Sequence, residues 1–181
     1  MYSRGSVIPL FVDQIKSGRP LTITNPQMTR LLLPLAHAVE LVAFALEHAG
    51  PGDFLVRKAP ASTVIDLAQA MLNLFDASNP IETIGIREGE KMHEVLVTSE
   101  ELVRAEEFDH YYRIFCQANR DYDEFFTKGV QSAKFLQEGY TSENAPLLTI
   151  PQIEQLLLEL PEIQAELKAW FGDKVPLRRS A

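Results

Sequence analysis

The chain has 181 residues, 46% of them hydrophobic and 23% charged, with a formal net charge of −8 at pH 7. That composition is that of a globular chain long enough to bury a sizeable core, and it excludes a disordered or fibrous one. The acidic balance argues against a nucleic-acid surface, which needs a basic face to displace counterions. The single cysteine, Cys116, excludes an intrachain disulfide or a cysteine-based zinc site.

No apolar run approaches the ~18 residues of a membrane span. Met1-Tyr2-Ser3-Arg4-Gly5-Ser6 lacks the apolar stretch of a signal peptide, and Arg178-Arg179 are too few for a polybasic anchor. A cytoplasmic setting without membrane or nucleic-acid partners is the expectation.

Ser6 stands where it can N-cap a helix over residues 7–17, with Pro9 tolerated in the first turn. Residues 21–24 read as a short strand, Asn25-Pro26 as a turn and residues 29–33 as a second strand. Residues 34–49 predict a helix with a broad apolar face that includes Leu35, Val39, Val42 and Leu46. Residues 54–58 predict a strand. Thr63 and Asp66 have capping-box spacing before a helix carrying Ile65, Ala68, Leu72 and Phe75. Residues 81–86 read as a strand again. This alternation predicts a mixed α/β fold.

The second half is less regular. Thr98 and Glu101 form a capping box before a short helix, and residues 111–115 read as a strand. Residues 119–146 show no clean period. Thr149 and Gln152 cap a helix with Ile153, Leu156, Leu157 and Leu160, and Pro161 opens another with Ile163, Leu167 and Phe171.

Several signatures are absent. There is no glycine-rich dinucleotide loop, no Walker sequence and no G-x-S-x-G elbow. His37, His48, His93 and His110 have no metal-ligand spacing, and no Tyr-x-x-x-Lys pair occurs. The chain therefore offers no self-contained catalytic constellation.

Three segments can carry chemistry. In Ser3-Arg4-Gly5-Ser6-Val7-Ile8-Pro9, an arginine and a glycine precede a helix start whose free N–H groups favour an anion or a polar ring edge. In Met28-Thr29-Arg30, an arginine beside an apolar strand can aim a fork of donors into a cleft. In Arg87-Glu88-Gly89-Glu90, at the carboxyl end of a strand, Arg87 can pair with a phosphate and Glu90 with a ribose diol. Each also reads as an ordinary cap, an edge-strand arginine or a solvated charged loop, and residue type alone favours those plainer readings. Glu100-Glu101 and Glu106-Glu107 look like solvated helix faces, Leu156-Leu157-Leu158 like packing, and Cys116 like a buried small hydrophobe.

Together, residues 3–11, 20–30, 86–94 and Tyr140-Thr141-Ser142-Glu143-Asn144 resemble one family. It is that of the polysaccharide-biosynthesis nucleotide-sugar dehydratases and epimerases, extended short-chain dehydrogenase/reductases acting on UDP-sugars. The branch it resembles is that of the inverting UDP-N-acetylglucosamine 4,6-dehydratases, often labelled UDP-glucose 4-epimerases of capsule synthesis. The resemblance covers nearly all of residues 1–170. It is to the C-terminal half only: an α/β substrate-binding portion over residues 1–116, lacking the Rossmann core, and a C-terminal extension with leucine-rich helices over residues 117–181.

The resemblance implies that Arg4, Ser6, Val7 and Pro9 lie beside the uracil and sugar, that Arg30 and Arg87 clamp the diphosphate, and that Glu90 holds the ribose hydroxyls. It reverses the preference for the plainer readings. It implies NAD(P) in a Rossmann half carrying Tyr-x-x-x-Lys, with none expected to bind this chain alone, and a homo-oligomer for the intact enzyme. Met1 would then correspond to an internal methionine, as in a truncated, split or mis-started reading frame. In the family mechanism the cofactor takes a hydride from the sugar C4; a dehydratase then loses water across C5 and C6, whereas an epimerase returns the hydride to C4. The chain departs from the branch at Asn25, Leu31 and Pro34-Leu35-Ala36-His37, where Asp, Phe and a polar helix start are usual, and residues 120–123 lie in a shorter stretch. Two other readings stand beside the enzyme half: a non-catalytic UDP-sugar-binding or assembly module, and a non-functional remnant.

Overall fold

Apolar residues at helical spacing build the first element of the computed structural model, which describes residues 1–3, 5–116 and 138–172. Helix α1 (Val7–Lys16) buries Ile8, Phe11, Val12 and Ile15 on one face. Strand β1 (Leu21–Ile23) buries Leu21 and Ile23 and runs parallel to β5 (Ile81–Thr83). A parallel pair needs a crossover, and this one ends in helix α3 (Val64–Phe75). Thr63 caps α3 as its spacing predicts, its hydroxyl accepting the Asp66 N–H at 3.1 Å.

Helix α3 is the centre of the core: Leu67, Ala68, Met71 and Phe75 are at most 1% exposed. It packs against α1, β1 and two C-terminal helices, α5 (Ile150–Leu158) and α6 (Pro161–Phe171). Ile153, Leu157, Ile163 and Leu167 complete the same cluster. Trp170 on α6 donates its indole N–H to Phe75 O at 2.9 Å. The C-terminal helices are thus part of the main core.

Among the described residues three small antiparallel sheets accompany this core. Strand β2 (Thr29–Leu31) pairs with β4 (Ala61–Thr63), placing Arg30 opposite Ser62. Strand β8 (Tyr111–Ile114) lies between β3 (Phe54–Arg57) and β7 (Ala105–Glu107). Strand β6 (Val95–Val97) pairs with β9 (Tyr140–Thr141). A short helix α4 (Ser99–Val103) follows β6, with the Thr98–Glu101 capping box formed. The result is a mixed α/β arrangement, as the alternation predicts.

The structure shortens all five predicted strands, three of them by a single residue and β2 and β5 by more. β2 stops at Leu31, where Leu32 turns its N–H to Pro60 O at 2.8 Å. β5 stops at Thr83, because Gly85 at φ 89° leaves the extended region. Four strands, β4, β6, β7 and β9, escape sequence reading, since two or three residues define no period. Glu106 and Glu107 lie on a strand, not a helix, and Glu107 accepts from Lys58 at 2.6 Å. Cys116 is half-buried beside Gly52 rather than fully inside.

Helix α2 (Leu35–His48) forms as predicted, yet it buries no residue completely. One side holds to the sheet through Phe44, which stacks on Tyr111 at 4.1 Å and meets Phe108 edge-on at 5.2 Å. The other side presents Leu35, Val39, Val42 and Leu46, between 60% and 84% exposed. Their spacing makes one continuous apolar stripe.

The turn after α2 is tied to β8 by charge. Asp53 accepts from Arg113 Nε at 2.7 Å, from Gly50 N at 2.9 Å and from Cys116 N at 3.2 Å. The Arg113 hydrogen bond, ahead of the Gly50 amide, holds the carboxyl below its ordinary value of 3.8. A depressed carboxyl stabilises the fold above 3.8 and loses that contribution as pH falls from 3.8 through its lower folded value. Thermal melts should therefore show Asp53→Asn less stable than wild type by a constant margin from about pH 5 to 7. The margin should shrink at more acid pH; a margin that does not change with pH would mean the carboxylate charge plays no part.

Candidate functional site

The start of α1 sets one wall. Ser6 occupies the N-cap position, but its hydroxyl turns back toward Ser3 O at 2.7 Å and Met1 O at 3.0 Å. It makes no side-chain cap bond, so the first-turn N–H groups of α1 receive none from it. The position is the one the sequence predicts; the capping bond is not.

Arg30 on β2 sets the second wall. Its Nη1 donates to Thr29 O at 2.7 Å and to Met92 O at 3.4 Å, and Nη2 donates to Met28 Sδ at 2.8 Å. The Glu94 carboxylate lies 3.6 Å from Nε. A thioether is a weak acceptor, so the Nη2 side of the fork is held without being strongly engaged.

The third wall is the turn after β5. Gly89, at φ 80°, lets Glu90 donate its N–H back to Arg87 O at 3.1 Å. The Glu90 carboxylate accepts the Arg87 N–H at 3.2 Å. The charged pair is thereby set in one compact loop, with Ile84 and Ile86 about half exposed before it.

These walls enclose a cleft of about 400 Å³ lined by Ser6, Val7, Arg30, Arg87 and Glu90. Ile23, Met28, Leu32, Val64 and Leu67 supply apolar surface to it. The volume falls in the range of roughly 300–1,000 Å³ usual for small-molecule sites. Pro9, the third residue of α1, does not line the cleft, although its neighbours Ile8 and Leu10 do. Arg4 lies outside the described residues.

The sequence reading missed the polar cluster behind Arg30. Thr29 Oγ1 lies 2.7 Å from Ser142 Oγ and 2.8 Å from His93 Nδ1. Ser142 Oγ accepts the Glu94 N–H at 2.8 Å and lies 3.3 Å from Thr29 O. Ser142 is 0% exposed and Thr29 5%. The one signal in the sequence is that Tyr140-Thr141-Ser142-Glu143-Asn144 belongs to the family resemblance without a role of its own. Beside it, burial pushes the Tyr140 hydroxyl up to about 12, aided by Tyr112, and it donates to Ala59 O at 2.9 Å.

The described residues hold no glycine-rich cradle for a nicotinamide dinucleotide. Its pyrophosphate needs paired glycines in a strand-to-helix turn. Among the described residues, the glycines at positive φ (5, 18, 52, 85, 89 and 172) sit singly, and no strand leads through such a turn into a helix. Among the same residues no group of three or more His, Cys, Asp or Glu side chains is placed to hold a metal ion, and no helix is long and apolar enough to cross a membrane.

Strand β9 reaches this region only because residue 139 is glycine. A Cβ there would stand 2.3 Å from Val97 O. Gly139→Ala should displace β9 from β6 and cost about 1–3 kcal/mol, as overpacking does. Chemical denaturation checks this; an unchanged midpoint would mean the close approach is not required.

A family model described as polysaccharide biosynthesis protein matches residues 1–115, and one described as polysaccharide biosynthesis protein C-terminal matches residues 119–164. The chain is 47% identical over 169 residues to proteins named UDP-glucose 4-epimerase from Rickettsia massiliae and Rickettsia conorii. Those matches cover 93% of this chain and 49% of each relative, so the chain spans about half the length of the curated relatives it matches. The X-ray structure of Pen from Bacillus thuringiensis aligns with a TM-score of 0.69 at 31% identity, over 88% of this chain and 46% of that one. With a family model over most of its length and this fold, the chain belongs to the polysaccharide biosynthesis protein family.

Proposed function

We propose that this chain is the UDP-sugar-gripping part of a UDP-sugar 4-epimerase or 4,6-dehydratase of surface-polysaccharide synthesis, working in the cytoplasm as a portion of an extended short-chain dehydrogenase/reductase. The observation that carries the reading is the convergence of Ser6, Val7, Arg30, Arg87 and Glu90, from three segments, on one cleft. Two guanidinium groups match the charge of a diphosphate. The Glu90 carboxylate suits a vicinal diol, and the uncapped first turn of α1 suits the polar edge of a base. The relatives' printed name favours the epimerase, and the same grip serves the dehydratase. Since no cradle for a dinucleotide lies among the described residues, the chain's own role is to bind and orient the nucleotide. That observation also supports a second reading, a non-catalytic UDP-sugar-binding module.

Calorimetric titration with UDP tests the site. A charge-assisted hydrogen bond contributes roughly 1.5–3 kcal/mol. Arg30→Ala and Arg87→Ala should each weaken UDP binding by about tenfold to a hundredfold. Arg30→Lys should restore it only in part, because a point charge makes no bidentate fork. Glu90→Gln should cost less than either alanine, since it keeps one acceptor for the ribose. If Arg87→Ala bound UDP as tightly as wild type, the diphosphate clamp would be wrong.

The partner in this reading is a dinucleotide-binding half, seated on the exposed stripe of α2. The support is the exposed Leu35, Val39, Val42 and Leu46 together with a chain spanning half its relatives' length. An apolar stripe left in water drives association. The chain on its own should therefore sediment as a mixture of associated species. Leu46→Glu with Val39→Glu should shift it to monomer while leaving stability within about 0.5 kcal/mol, as exposed substitutions do. A wild-type chain already monomeric at high concentration would remove this assignment.

A further inference from the structure

We infer that Ser142 and Thr29 are positioning residues for Arg30, so that the C-terminal segment sets the geometry of the anion-binding wall. The inference rests on the UDP-site reading above and deepens it. Each acceptor that faces the Arg30 guanidinium from the 92–94 segment or from Thr29 is held by the hydroxyls or the backbone of these two residues. Thr29 O, the 2.7 Å partner of Nη1, lies 3.3 Å from Ser142 Oγ. Glu94, whose carboxylate faces Nε, gives its N–H to Ser142 Oγ at 2.8 Å and takes the Ser142 N–H on its carbonyl at 2.8 Å. Met92 O, the second acceptor of Nη1, takes the Thr29 N–H at 3.0 Å.

Proton counting constrains the cluster. The Glu94 amide can only donate, so Ser142 Oγ accepts there and has one proton to give. That proton serves the Thr29 carbonyl at 3.3 Å or Thr29 Oγ1 at 2.7 Å, and the Thr29 hydroxyl also lies 2.8 Å from His93 Nδ1. Deleting the Ser142 oxygen leaves the Glu94 amide without this acceptor and takes a partner from the buried Thr29 hydroxyl, and both flank Arg30.

The effect is expected on one arginine and not the other. Arg87 is exposed on its own turn and shares no bond with the cluster. A merely structural role for Ser142 would weaken both contributions alike. The test is a set of UDP titrations on the full chain, with the His93 ring nitrogens read by 15N NMR. Ser142→Ala should weaken UDP binding by about tenfold. Its loss should overlap with that of Arg30→Ala in the double variant and add to that of Arg87→Ala. The His93 ring-nitrogen shifts of wild type should change in Ser142→Ala, because the Thr29 hydroxyl that contacts Nδ1 loses its Ser142 partner. If Ser142→Ala does not fold, Thr29→Ser against Thr29→Val carries the same test: serine should bind as wild type and valine about tenfold worse.

Additive losses for Ser142→Ala and Arg30→Ala, or equal affinity of the serine and valine variants, would overturn the positioning role alone. A wild-type chain without UDP affinity would overturn the site reading, and the positioning role with it.

Discussion

Burying the Thr29 hydroxyl is the constraint on which the site's architecture turns. A hydroxyl taken out of water without a partner costs about 1–3 kcal/mol. No neighbour in sequence can serve Thr29, because β2 is too short to bring one round. Its partners come from residue 93 and residue 142. Once those bonds form, three stretches far apart in sequence have to lie side by side, and Arg30, the next residue along, inherits its surroundings from them. Ser62, opposite Arg30 in the register, behaves differently: its hydroxyl is buried and has no hydrogen-bond partner among the described residues.

The same logic explains why the C-terminal helices belong to the main core. Ser142 can fill its role only if the chain after it is anchored. Leu148 donates its N–H to Ala61 O at 2.8 Å, which ties the segment to β4. Ile153, Leu157, Ile163 and Leu167 then bury against α3. At the far end, Glu166 accepts from the Tyr2 hydroxyl at 3.2 Å and pairs with Lys16. Burial, with Glu166 next, pushes the Tyr2 hydroxyl up to about 12. The extension thus grips the beginning of the chain as well as β2, and the cleft lies between those two attachments.

Much of the framework was legible because it is written in local rules. The caps at Thr63, Thr98 and Thr149 are decided within four residues, and the structure forms all three helices behind them. The long helices announce themselves by a 3.6-residue period. The cleft residues were legible mainly through the resemblance, since a lone arginine on a strand and a charged loop look the same whether or not they face each other. What was not legible is pairing. Strands of two or three residues carry no period, and nothing near Ser142 says that its partner is Thr29. Helix α2 shows the converse: its apolar stripe was plain, but a pattern of hydrophobicity states that a face is apolar, not what lies against it.

Net charge gave a similarly incomplete message. At −8 the chain repels anions at long range, and that net value bears on extended surfaces rather than on a single cleft. Over a Debye length of about 10 Å, the field at a cleft is set by the groups that line it. Arg30 and Arg87 line this one with Glu90 as the facing acid, and the Glu90 carboxylate is partly occupied by the Arg87 amide. The arginine on β2 is the better placed of the two for selectivity. Its stem is fixed by neighbours on both sides, and a fork that is already oriented loses less entropy on meeting an anion. In the proposed UDP site Arg87, on an exposed turn, adds charge at the rim without that pre-organisation, and the firmness with which β2 is held from behind decides how ready the Arg30 fork is to meet an anion.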